Sequence, residues 1–64
     1  MDNNVLEKWN EIKVLVNSLE LDVHKNVNGN ASAGVRVRRG LRLLKKEAGD
    51  LVKLTIAQEK DKKS

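Results

Sequence analysis

Between residues 34 and 46 the chain carries Arg36, Arg38, Arg39, Arg42, Lys45 and Lys46 with no carboxylate among them. Guanidinium and ammonium groups in such density suit one chemistry, the neutralisation of a polyanion. Each phosphate contact releases condensed counterions, and the forked donors of arginine match phosphate oxygens. Wound as a helix at 100° per residue, Arg38, Arg39, Arg42, Lys45, Lys46, Lys53, Lys60 and Lys63 fall within about 120° of one another. Val37, Leu41, Leu44, Ala48, Leu51 and Val52 take the other side. One helix is therefore expected to carry a core-facing stripe and a long cationic stripe together, with nucleic acid as the partner. A solvated helix face is the plainer explanation of a charge run, but such faces usually interleave Glu with Lys at i,i+4. Here Glu47 and Asp50 come only after the cationic block.

Other chemistry finds little support. His24 is a lone imidazole between Val23 and Lys25, the pattern of a surface or helix-end residue. Ser18, Ser32 and Thr55 have no evident base beside them, and Glu20 and Asp22 near His24 lack the nucleophile and cleft that catalysis needs. No enzyme activity, cofactor or metal site is expected. The run Gly29-Asn30-Ala31-Ser32-Ala33-Gly34 puts glycines near a helix start but matches neither a phosphate-binding loop nor a dinucleotide fingerprint, so it reads as a turn with a cap. No helix-turn-helix or zinc-finger pattern is visible, and Trp9, the single aromatic residue, offers no stacking platform. Backbone contact to double-stranded DNA, with little base preference, is the expectation.

The elements that position these residues follow from composition and spacing. Sixty-four residues make one small domain, and a chain of that size buries only about 60% of the surface its unfolded form exposes. With no cysteine and one histidine, disulfides and metal clusters cannot reinforce it, which leaves oligomerisation as the remedy. A homodimer is expected for that reason. The lack of proline and the abundance of Leu, Val, Lys, Arg and Glu at helical spacing favour long helices over a β-fold. No apolar run approaches the roughly 18 residues of a membrane span, and the opening Met-Asp-Asn-Asn is acidic where a signal peptide is basic. The expected location is cytoplasmic and nucleoid-associated.

Val5, Trp9, Ile12, Val16, Leu19 and Val23 alternate by four and three, predicting a first helix over about 4–27 with Asp2, Asn3 or Asn4 as its cap. Trp9 is expected in the core or at a dimer contact. Asn28-Gly29 tolerates positive φ, predicting a stop and reversal over about 28–31. Val37, Leu41, Leu44, Ala48, Leu51 and Thr55 form the second seam, on a helix over about 32–60 with Asn30 or Ser32 as cap and a frayed basic tail at 61–64. Gly40 or Gly49 is expected to permit close helix approach or a bend. The expected fold is all-α, an antiparallel two-helix hairpin that dimerises into a four-helix bundle. Charge divides with the halves. Residues 1–30 hold three lysines against five carboxylates, net −2, and residues 31–64 hold ten basic residues against four acids, net +6. The second half is thus expected to meet the partner while the first scaffolds it.

Gly29-Asn30, then Ala33-Gly34, then Arg36-x-Arg38-Arg39 with Leu41 and Leu44 following, resembles the chlamydial-type linker-histone-like nucleoid proteins over roughly residues 28–60. The resemblance implies DNA binding and chromosome compaction, with Arg36, Arg38, Arg39 and Lys53 as contacts. A departure from the larger members is expected, without their long Lys/Ala/Pro-rich tail. The residues themselves add Arg42, Lys45 and Lys46 to the candidate surface. Two other readings stay open: an RNA-binding hairpin dimer, similar in architecture to plasmid copy-control bundles, and a protein-interaction module docking on an acidic partner.

Overall fold

The computed structural model describes residues 4–63, and the side chains of residues 4–60. Among them are two helices and no strand: α1, Asn4–Val27, and α2, Ala31–Lys63. Asp2 and Asn3 among the expected caps, and Ser64 of the expected tail, lie outside the described residues, as do the side chains of 61–63.

The reversal is built from backbone hydrogen bonds. Gly29 takes φ 98°, a conformation costly for any residue with a Cβ. This lets the Gly29 amide donate to the Asn26 carbonyl (3.0 Å) and the Asn30 amide reach back to the Lys25 carbonyl (3.0 Å), the paired bonds that close a helix C-terminus. Asn30 then opens the next helix. Its Oδ1 accepts from the Ala33 amide at 2.9 Å and its carbonyl from the Gly34 amide at 3.2 Å. One asparagine ends α1 and caps α2, so the link is only three residues long and the helices must run antiparallel.

Their contact line differs from the apolar seams that periodicity marks. On α1 the inward positions are Val5, Lys8, Ile12, Leu15, Leu19 and Asp22, of which Ile12 (7% exposed) and Leu19 (9%) are buried. On α2 they are Ala33, Val37, Gly40, Leu44, Glu47, Leu51 and Leu54, with Ala33 and Val37 buried. Trp9, Val16 and Val23, expected in the seam, are 48%, 47% and 41% exposed. Trp9 is thus outside the hairpin core. A two-helix hairpin has a single line of contact, so residues about 60° to 80° round each helix from that line find nothing to cover them.

Leu19 packs directly over Gly40, where an added Cβ would collide with the leucine methyls. Gly49 has nothing within 4 Å of such a Cβ. Of the two glycines, Gly40 is the one the packing requires, and α2 passes through both as one helix. The molecule measures 53 × 16 × 11 Å, with a radius of gyration of 15.3 Å. A compact chain of this length would have about 11 Å. The hairpin is a slab with two broad faces and two edges.

Candidate nucleic-acid interface

The cationic residues occupy the outer edge of that slab. Arg38, Arg42, Lys45 and Lys53 lie on the side of α2 turned away from α1, and all are exposed. Helix geometry puts Arg42 nearly opposite the inward line through Val37, Gly40 and Leu44, with Arg38 and Lys45 one turn to either side. Arg39 and Lys46 stand where this edge passes into one broad face. Among the described residues, no carboxylate lies within ion-pair distance of Arg38, Arg39, Arg42, Lys45 or Lys53. A row of solvated cations without internal counter-charges keeps its full field for an incoming anion.

Two of the sequence-predicted residues are placed differently. Arg36 turns toward α1, where its Nη2 lies 3.0 Å and its Nε 3.1 Å from Asp22 Oδ1. This guanidinium hydrogen bond holds the Asp22 carboxyl below its ordinary 3.8 and pushes the Arg36 guanidinium up. Lys46 lies 3.4 Å from Asp50 and 3.8 Å from Glu47. The structure therefore gathers five of the seven candidates into a free row and gives Arg36 and Lys46 acidic neighbours.

Periodicity did not reveal Lys8, Asp22, Glu47 or Asp50 as contacts between the helices. Lys8 meets Glu47 Oε1 at 2.5 Å and Asp50 Oδ2 at 3.8 Å, and the hydrogen bond to Glu47 raises the Lys8 pKa above its ordinary 10.5. With Asp22–Arg36 nearer the turn, these pairs line one broad face of the slab and fix the register. A signal for them exists in the sequence: Lys8 stands four residues before Ile12, and Asp22 three after Leu19, both in step with the buried positions.

The opposite broad face is apolar. Val16, Leu19 and Val23 from α1 and Leu41 and Leu44 from α2 line an open groove, with Glu20 on its α1 lip. Trp9, two turns before Val16, and Val52, 58% exposed, extend the same face by helical spacing.

The remaining candidates resolve into local structure. Ser18 and Thr55 each donate to the carbonyl three residues back, Leu15 and Val52, at 2.7 Å. His24 is exposed, its Nε2 3.9 Å from Glu20 Oε2. The amides of Gly29, Asn30, Ala33 and Gly34 are engaged within the turn and its cap. Among the described residues no cluster of acidic or histidine side chains could hold a metal, and no helix is long and apolar enough to cross a membrane.

Compared with known proteins, the chain matches the family model for the histone H1-like protein Hc1 over residues 6–61. Neither a curated protein nor a solved structure gives a significant match.

Proposed function

Because the chain belongs to the Hc1 family of histone H1-like proteins, we propose that it is a nucleoid-associated, cytoplasmic protein that binds duplex DNA through the outer edge of α2. Arg38, Arg39, Arg42, Lys45 and Lys53 contact phosphates, and Lys46 and Arg36 join them at the cost of their acidic neighbours. The observation that carries this reading is the free row itself: five exposed cations on and beside one helix edge, none of them paired with a carboxylate among the described residues. The edge offers cations with no asparagine or glutamine among them, so affinity is chiefly electrostatic and depends little on base sequence. The protein acts as a homodimer of hairpins, a four-helix bundle, because a lone hairpin leaves an apolar face in water.

A duplex titration across salt concentrations tests the proposal. Five to eight phosphate contacts give a slope of log K against log salt of about −4.5 to −7. The double variant Arg38→Glu, Arg42→Glu is expected to abolish binding while its far-ultraviolet helicity is unchanged. Binding retained by that variant would remove the edge from the site. Structured RNA included as competitor distinguishes the nearest alternative, since RNA outcompeting duplex at equal charge would transfer the function to RNA.

A further inference from the structure

The arrangement of the dimer, which the edge-binding proposal leaves open, follows from where charge sits relative to the bare face. We propose that a second copy covers the groove of Val16, Leu19, Val23, Leu41 and Leu44 with α1 of each protomer lying over α2 of the other. The two cationic edges then lie on opposite sides of the dimer, one for each of two duplexes. The inference rests on DNA binding by that edge and adds bridging to it.

Area supports a second copy as the occupant. The chain exposes 5230 Å², whereas a compact monomer of its mass exposes about 4100 Å². The excess, about 1100 Å², is more than the roughly 800 Å² that one partner buries in a stable interface. The face is self-complementary in the sense a two-fold axis needs, with an apolar stripe contributed by each helix.

Charge selects the arrangement. Residues 4–27 of α1 carry three lysines against four acids, net −1, and residues 31–63 of α2 carry ten basic residues against four acids, net +6. Laying α2 over α2 would bring the two cationic helices to about 8–10 Å between axes, about one Debye length at physiological salt. Laying α1 over α2 replaces that repulsion with attraction. The register set by Leu19 against Gly40 and by Asp22 against Arg36 then fixes which lip residues meet. With the two-fold axis parallel to the helices, Glu20 stands level with the partner's Arg38, and Lys13 with the partner's Lys45. The first contact is attractive and gives Arg38 an acidic neighbour in the dimer, as Arg36 has within the hairpin; the second is repulsive, and in a two-fold dimer each occurs twice.

Lys13 therefore gives a test of sign. Sedimentation equilibrium in low salt is run on the parent chain, Lys13→Glu and Leu41→Asp, with helicity checked by circular dichroism. Lys13→Glu turns a repulsion into an attraction and is expected to tighten the dimer by about threefold to tenfold. A dimer left unchanged or weakened by Lys13→Glu would overturn the arrangement. Leu41→Asp is expected to give a helical monomer. A parent chain that stays monomeric overturns the dimer outright, while the salt titration of duplex binding still decides the edge separately. Bridging is read by capture of a second, labelled duplex on an immobilised one. The parent captures it and Leu41→Asp binds only the first; second-duplex capture by monomeric Leu41→Asp would overturn the bridging inference.

Discussion

The two broad faces of the hairpin are built from the same two helices and solve opposite problems. One is crossed by ion pairs, Lys8 to Glu47 and Asp50 and Arg36 to Asp22, that tie α1 to α2. The other carries Trp9, Val16, Val23, Leu41 and Val52, each more than two-fifths exposed, and among the described residues no polar side chain ties the helices across the groove. The difference lies in what each face can do with water present. Ion pairs that water still reaches gain little net energy, but they penalise wrong registers. Exposed valines and leucines gain nothing until another surface removes them from water. The first face specifies the hairpin, and the second is suited to assembling it.

The sharpest separation of face from seam comes from truncating one leucine on each. Leu19→Ala removes one of the few buried large side chains and is expected to cost about 2–3 kcal/mol, enough to melt much of a small hairpin. Leu41→Ala on the bare face should change dilute-protein stability by less than about 0.5 kcal/mol. Its effect should grow with protein concentration, since association stabilises only what it binds. Thermal melts at two concentrations check both.

Glycines sharpen the same contrast. Gly40→Ala puts a methyl into Leu19 and is expected to destabilise, the overpacking cost of about 1–3 kcal/mol outweighing the helix-propensity gain of about 1 kcal/mol. Gly49→Ala meets nothing and should stabilise by up to about 1 kcal/mol. Equal effects in urea melts would show that Gly40 does not mark the close approach. Asn30→Ala, which removes the cap shared by the turn and α2, should cost about 1 kcal/mol in the same assay.

The smallest effect belongs to pH. Asp22 has its pKa lowered in the fold, so its contribution is present above its unfolded value near 3.8 and is lost as pH falls through the lower folded value. Lys8 has its pKa raised, so its contribution is present below 10.5 and is lost as pH rises through the higher folded value. Stability is therefore expected to be flat across neutral pH and to fall at both extremes. Asp22→Asn should remove the acid limb and Lys8→Met the alkaline one; unchanged limbs would assign them to other groups.

Much of this molecule was legible from its residues. Helical spacing identified two helices, Asn28-Gly29 marked the reversal, and the cationic block stood out because no acid interrupts it. These are local properties, governed by neighbours within a few residues, and the chain alone determines them. Which way each helix faces was not local. The apolar residues of α1 fall on two adjacent lines that share Val5, Ile12 and Leu19, and periodicity cannot tell which line meets the other helix. The structure chose the line containing Lys8 and Asp22, because those charges find Glu47, Asp50 and Arg36 across the gap and Leu19 finds the one glycine that admits it. That choice left Trp9, Val16 and Val23 bare and drew Arg36 away from the cationic row. Partners distant in sequence fix a helix's rotation, and only the tertiary structure brings them within reach.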